Sequence, residues 1–281
     1  MKISKAHELF KASEKIFRCP ACHSQMAFRN HNSLACFEGH CFDLSKYGYL
    51  NFVPSKAKAD KTKYTRDFYE SRRRTFQSDF YNPVKEAIQL ILDNCPTARV
   101  LDAGCGEGFF TSALMKNCDA YAIDIQKAAI VLAAKESKHI KWIVGDLANI
   151  PLQSASIDVL LNIFAPASYP EFTRLLTGEG FVIKVIPGNR HFIELRERAK
   201  GQLHKEYSNE RVLQLLSKNF DCFDRKRISY QLPVTKPQLA DLIQMTPLMF
   251  NVNRDTLSLN DIECISLDIE IIVGKKYSSQ Q

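Results

Sequence analysis

The 281-residue sequence predicts an α/β protein: a mainly parallel sheet covered by helices on both faces, with a small separate segment in front. Three observations carry this. From Tyr81 onward, short apolar runs alternate with amphipathic stretches. One of those runs ends in three glycines at alternate positions, Gly104, Gly106 and Gly108. Four cysteines and three histidines crowd between Phe17 and Leu44. Apolar strands separated by helices bury both sheet faces, the pattern of parallel pairing.

The composition suits a packed core, with 45% hydrophobic and 25% charged residues. There is no long apolar run, and the opening "MKISKAHELFKASEKIF" is charged throughout, which excludes a transmembrane helix and argues against a secretory signal. Nine scattered cysteines without an export signal read as reduced thiols in a cytoplasmic setting. Residues 1–80 hold fifteen Lys and Arg against eight Asp and Glu, so the whole net charge of +7 lies there. Such localisation suits a polyanionic partner, nucleic acid above all; a solvated, solubilising face is the plainer alternative.

Along the chain, Cys19 and Cys22 form a Cys-x2-Cys knuckle, and Cys36 and His40 follow after thirteen intervening residues. Two such pairs close a tetrahedral structural zinc shell and leave no open position for zinc-based chemistry. Cys41 competes with His40 for the fourth place, and His23 and His31 read as loop residues. This segment runs to about Pro54 and gives a zinc-binding domain over 1–54. Residues 55–80 read as a basic connector with one helix around Arg66 to Phe76. The domain over 81–281 follows.

In that domain, "NPVKEAIQLILDNC" has helical spacing with proline in its first turn. "ARVLDAG", "DAYAID" and "IKWIVGD" read as strands, with the helices "FFTSALMKN" and "QKAAIVLAAKES" between them. "IDVLLNIF", "GFVIKVIP" and "CISLDIEIIVG" complete the strands.

The turn "LDAGCGEGFF" lacks the Gly-x-Gly-x-x-Gly spacing of a dinucleotide site, since the third glycine would fall on Phe109. A strand ending in Asp102 and running into alternating glycines resembles motif I of the S-adenosylmethionine-dependent methyltransferases. Charge explains the difference. A pyrophosphate would be repelled by Asp102 and Glu107, whereas a sulfonium and an ammonium tolerate them. Asp124 ends the next strand, twenty residues after Gly104, where a carboxylate can accept bonds from both ribose hydroxyls. Asp146 ends the third strand, where the resemblance implies contact with the adenine amino group, and Leu147 would offer its backbone amide. The resemblance thus implies a class I, Rossmann-like methyltransferase fold behind a zinc-binding, RNA-recognition domain.

The order of zinc knuckle, "FDLSKYGYLNFVP", basic connector, "DFYNPV" and "VLDAGCGEGFFTSAL" resembles the bacterial 23S rRNA guanine-N1 methyltransferases. The likeness continues through "IFAPASYPEF", "IKVIPGNRHFIELR", "KEYSNE" and "MTPLMF" over nearly the full length. That family modifies one hairpin loop in domain II of the RNA. "IKVIPGNRHFIEL", "KEYSNE", "TPLMFNV" and "EIIVGK" look more like its tylosin-resistance branch, the guanine 748 type associated with antibiotic resistance, than its guanine 745 branch. The resemblance implies zinc on Cys19, Cys22, Cys36 and His40. It implies Tyr81, the Gly106–Gly108 loop and His191 around the cofactor, and paired subunits in a homodimer.

Guanine N1 carries a proton that must leave during methyl transfer. The sequence offers Asn162, the turn from Phe164 to Ala167, Glu171 and His191 as nearby candidates, beside a backbone carbonyl or water. Phe164 is expected to stack the target base, with Pro166 stiffening the turn; a core aromatic is the alternative. Lys56, Lys58, Lys61, Lys63, Arg66, Arg72, Arg73 and Arg74 are expected to meet RNA phosphates, and Tyr47, Tyr49 and Phe52 to stack bases or pack the zinc segment. A small-molecule methyltransferase is a competing reading, as is an RNA-binding module that keeps the fold as scaffold.

Overall fold

The computed structural model describes residues 3–53, 65–203, 208–259 and 261–277. Helix α1 (Ile3–Lys11) turns Ala6 and Phe10 inward. Strands β1 (Met26–Phe28), β2 (Ser33–Cys36) and β3 (Cys41–Asp43) form a small antiparallel sheet in the order β1-β2-β3. The next strand, β4 (Tyr49–Asn51), leaves that sheet and lies parallel to the strand at Lys141–Val144, on the edge of the large sheet. It thus precedes the expected boundary at Pro54 yet pairs across it.

Residues 54–64 lie outside the described residues, and with them Lys56, Lys58, Lys61 and Lys63; so does the side chain of Arg66. Helix α2 (Arg66–Gln77) begins at Thr65, whose hydroxyl accepts from the Phe68 amide at 3.3 Å, an N-cap that satisfies one free donor. Helix α3 (Asn82–Leu92) carries Pro83 in its first turn and buries Val84, Ala87, Ile88 and Leu92 along one stripe.

The alternating part follows as β5 (Arg99–Ala103), α4 (Phe109–Leu114), β6 (Asp119–Asp124), α5 (Lys127–Glu136), β7 (Lys141–Val144) and β8 (Ile157–Ile163). Then come α6 (Tyr169–Leu175), β9 (Leu176–Pro187), α7 (Ile193–Ala199), α8 (Glu210–Asn219), β10 (Phe220–Pro233), α9 (Lys236–Met245) and β11 (Cys264–Lys276). The large sheet has the order β10-β11-β9-β8-β5-β6-β7-β4, parallel from β4 to β9 and antiparallel through β11 and β10. The chain winds outward from β5 to β7, then crosses to β8 on the other side. The crevice at the carboxyl ends of β5 and β8 is therefore the switch point where such sheets bind ligands.

The ribbon and the sheet share one core. Phe10, Phe17 and Leu34 pack in a continuous cluster with Tyr121, Ile143, Leu152 and Phe172. Backbone bonds fasten the join: Arg18 N–H donates to Pro151 O at 3.1 Å and Gln153 N–H to Ile16 O at 2.7 Å.

Strand β10 is the element the sequence pattern does not announce. It is an edge strand, exposed along most of its length, and rich in charge. Arg225 pairs with Glu270 and Arg227 with Asp268 across the β10–β11 ladder. Charged side chains suit an exposed edge.

Gly108 lies at φ +77°, and a Cβ there would stand 2.3 Å from the Trp142 ring; Gly178 has open space around it. Gly108→Ala is expected to lower stability by about 2–4 kcal/mol, and Gly178→Ala by roughly 0.5 kcal/mol or less, in urea unfolding.

Candidate active site and metal centre

The ribbon brings Cys19, Cys22, Cys36 and His40 together, their ligand atoms all within 4.8 Å of one another. Cys22 and Cys36 sulfurs are 3.6 Å apart, and Cys36 Sγ is 3.4 Å from His40 Nδ1. Gly39, at φ +87°, bends the chain just before the histidine. Bonds from Ser24 hold the Cys22 thiol down at about 6, which favours the thiolate that zinc requires. Cys41 points elsewhere: it is exposed, with Asp43 as its neighbour. The fourth position therefore belongs to His40. Three sulfurs and one imidazole nitrogen fit a closed tetrahedral zinc site.

At the switch point lies a cleft of about 300 Å³, lined among others by Gly104, Gly106, Asp124, Asp146, Leu147 and Pro166. Asp124 holds its place through two backbone donors, Gly106 N–H and Gln126 N–H, each at 2.8 Å. Burial pushes its carboxyl up, offset in part by those two bonds. Asp146 is exposed and accepts from the Ala148 amide at 2.9 Å.

Three predicted residues shape the turn without lining this cleft. Asp102 is buried beneath it, accepts from the Thr111 hydroxyl at 2.5 Å, and is pushed up to about 7 by burial. Gly108 lets Trp142 approach. Glu107 faces Arg72, with 2.9 Å between Oε1 and Nε. That contact is an ion pair lacking hydrogen-bond angles: Arg72 Nε and both Glu107 oxygens are buried and without hydrogen bonds.

A second cavity of about 500 Å³ adjoins the cleft, and Arg72, Phe164 and Ala165 line both. Tyr81 and His191 belong to this second space, with Phe76, Lys184, Pro187 and Met245. Phe164, at φ +51°, stands between the two. Its ring lies 5.9 Å from Tyr81 edge-on and 6.1 Å from His191 nearly parallel. His191 Nδ1 accepts from the Asp268 amide at 3.4 Å, and burial lowers its pKa to about 3. The imidazole is neutral, and its remaining proton sits on Nε2. Glu171 is turned to the ribbon side, where it accepts from Arg174 twice at 2.7 Å and from the Ile150 amide. Asn162 is fully buried, its amide donating to Ala103 O at 2.6 Å and Pro166 O at 3.0 Å.

The expected phosphate contacts need correction at the arginines of α2. Arg72 reaches inward to both cavities, its side chain 23% exposed. Arg73 pairs with Glu136, and Arg74 makes a two-pronged pair with Asp241 of α9. The helix is thus a wall of the site, and these charges fasten it. Tyr49 and Phe52 are buried in the core and Tyr47 packs against it, the structural role. The expectations for Lys56, Lys58, Lys61, Lys63 and the Arg66 side chain fall outside the described residues.

Lys184 was not anticipated, although a lysine inside the apolar run "GFVIKVIP" is a signal. A charge in a doubly buried strand needs a reason.

The acids on the cleft wall suit the positive end of S-adenosylmethionine and its ribose. Arg72, which also lines the cleft, sets a positive charge beside these acids, its Nε already paired with Glu107. The fit is chemical as well as topological. The Asn149 side chain also donates to Pro20 O at 2.8 Å, tying the zinc knuckle to the loop after β7 that carries Asp146. Because the core is shared, the chain is expected to unfold in one calorimetric transition. Cys36→Ser is expected to release zinc and lower the Tm of the whole chain by at least about 5 °C. Two transitions with the later one unmoved would contradict this.

The comparisons agree with this geometry. A zinc-ribbon family described as "RlmA, N-terminal" matches residues 17–61, and a family described as "Methyltransferase domain" matches residues 100–178. YxjB of Bacillus subtilis (strain 168), named "Putative 23S rRNA (guanine-N(1)-)-methyltransferase", is 34% identical, covering 93% of this chain and 97% of that protein. The Streptomyces fradiae "23S rRNA (guanine(748)-N(1))-methyltransferase" is 26% identical, covering 87% and 89%. A Micromonospora griseorubida protein with the same printed name as YxjB, apart from the symbol, is 27% identical, covering 86% and 89%. With a structural zinc ribbon docked on a class I sheet, and similarity along nearly its whole length, the chain belongs to the S-adenosylmethionine-dependent 23S rRNA (guanine-N1)-methyltransferase family.

Proposed function

We propose that this protein methylates N1 of a guanine in a hairpin loop of domain II of 23S rRNA, with guanine 748 the favoured position. The observation that carries the reading is the pair of cavities sharing the Arg72–Phe164–Ala165 wall. One is acid-lined and sized for the methyl donor; the other is aromatic and apolar and suits a planar base. The Streptomyces fradiae relative, which carries guanine 748 in its name, supports the choice of position.

N1 lies on the Watson–Crick edge, so the base must come from a loop or leave its stack to be reached. Phe164, standing between the cavities, stacks it, and Pro166 stiffens the turn. Gly104 and Gly106 admit the donor close to the backbone, Asp124 accepts from its ribose, and Asp146 with Leu147 holds the adenine. Asp102, Glu107 and Gly108 shape the turn, while Tyr81 and His191 close the far side. S-adenosylmethionine supplies a methyl group on a positively charged sulfur, and the electron pair of the broken carbon–sulfur bond stays with sulfur. The protein's share is alignment and exclusion of water.

The zinc-ribbon segment up to Pro54 and Lys56, Lys58, Lys61 and Lys63 after it bind the RNA backbone. The same reading carries a homodimer, as the resemblance implies, and a cytoplasmic setting, which the scattered reduced thiols support. Among the described residues, no helix is long and apolar enough to cross a membrane.

Mass mapping of the hairpin RNA after incubation with labelled S-adenosylmethionine is expected to find one methyl on N1 of one loop guanine. Label on small acceptors and none on RNA would favour a small-molecule enzyme instead. Asp124→Ala is expected to weaken S-adenosylmethionine binding by roughly 10- to 100-fold in calorimetry, about 1.5–3 kcal/mol.

A further inference from the structure

Lys184 lies in β9 and is 4% exposed. Burying an ammonium without a counter-charge is unfavourable, and desolvation draws this amine down to about 8. The titratable groups that share its cavity are Arg72, Tyr81, His191 and Arg196; no carboxylate lines it among the described residues.

Both hydrogen-bond partners of the amine are acceptors. Lys184 Nζ donates to Asn162 Oδ1 and, at 2.7 Å, to Ala165 O. Asn162 cannot turn its amide around, because its Nδ2 is held by Ala103 O and Pro166 O. A neutral amine has two N–H bonds and one lone pair. The two acceptors take both N–H bonds, and the lone pair remains for the cavity that Lys184 lines. Ala165, to which it is bonded, lines the donor cleft as well. The amine therefore lines the second cavity, one hydrogen bond from a residue that the two cavities share.

The other candidates are engaged differently. His191 presents a proton on Nε2, Glu171 is saturated on the ribbon side, and Asn162 has no basic atom free.

We propose that neutral Lys184 is the catalytic base that accepts the N1 proton of the guanine seated in this cavity; the assignment rests on the guanine-N1 reading above. The N1–H bond breaks, its proton joins the Lys184 Nζ lone pair, and its electrons stay on N1 to form the bond to the methyl carbon. The Lys184 ammonium so formed keeps its two bonds to Asn162 and Ala165, and releases the proton to solvent when the product leaves. A base matched to working pH contributes typically 10²–10⁴-fold.

The test compares the full-length parent with Lys184→Gln and Lys184→Ala in single-turnover methyl transfer to the hairpin RNA between about pH 6 and 10. Calorimetric binding of S-adenosylmethionine and RNA is measured alongside. The glutamine amide keeps two N–H donors and accepts no proton. The base works only when neutral, so the parent rate is expected to rise with pH and level off above about 8. Lys184→Gln is expected to bind both ligands as the parent does, to react about 10²–10⁴-fold more slowly near pH 8, and to show no plateau. In the ligand-free parent, the ¹³Cε signal of Lys184 is expected to titrate near 8, well below an ordinary lysine. Added ethylamine is expected to restore part of the Lys184→Ala rate in proportion to its free-base form, which decides the matter if the glutamine variant binds poorly. A Lys184→Gln enzyme with the parent's rate and profile overturns the assignment, as does an alanine variant that binds its ligands but gains nothing from amine. A parent that leaves N1 unmethylated overturns the underlying guanine-N1 reading instead.

Discussion

The arrangement of the site depends on one close approach. A Cβ on Gly104 would stand 2.4 Å from Ala165 Cβ, so the turn after β5 and the turn after β8 touch only because residue 104 has no side chain. Gly104 is also held at φ +88°, a backbone conformation that a side chain would strain. Through this contact the two cavities come to share one wall, made of Arg72, Phe164 and Ala165. Beneath it, the buried set of Asn162, Lys184 and the Ala103, Ala165 and Pro166 carbonyls pins the turn after β8 in place. Buried polar groups satisfied in this way give a single well-defined geometry.

The zinc ribbon is more closely joined to this apparatus than a tethered recognition head would be. Its apolar residues complete the packing on one face of the sheet, and its knuckle carbonyl at Pro20 receives the Asn149 side chain. Zinc on the four ligands would close a segment too small to fold on its own apolar contacts, and the Asn149–Pro20 bond ties that segment to the loop after β7.

Much of the fold was legible because its signals are local. Strands such as "DAYAID" and "IKWIVGD" are short apolar runs between helices, and the structure places β6 and β7 there. The zinc ligands were legible from spacing, with His40 preferred to Cys41 through the family resemblance, and the structure brings His40 to the three cysteines. Three things were not legible, each for a long-range reason. Strand β10 alternates only at Ile228, Tyr230 and Leu232, while Asp221 to Arg227 is exposed and mostly charged, since the strand lies at the sheet edge beside β11. Helix α2 stands where the sequence places it, but its partners were hidden: its arginines meet Glu107, Glu136 and Asp241, far away in sequence. Lys184 gains its significance only from Asn162 and Ala165, which the β8–β9 pairing brings beside it.

The pairing of β4 with β7 also orders events during synthesis. Tyr49 lies opposite Trp142, so the ribbon leaves the ribosome well before the strand that anchors it exists. Contacts so distant in sequence form late, because closing a long loop must precede any gain from pairing. Zinc on the four ligands would hold the small sheet together through that interval, while the apolar face around Phe17 and Leu34 still lacks the large sheet it packs on. In a cell short of zinc, the nascent chain would carry that face uncovered and unsupported, at the stage of its life when aggregation competes most strongly with folding.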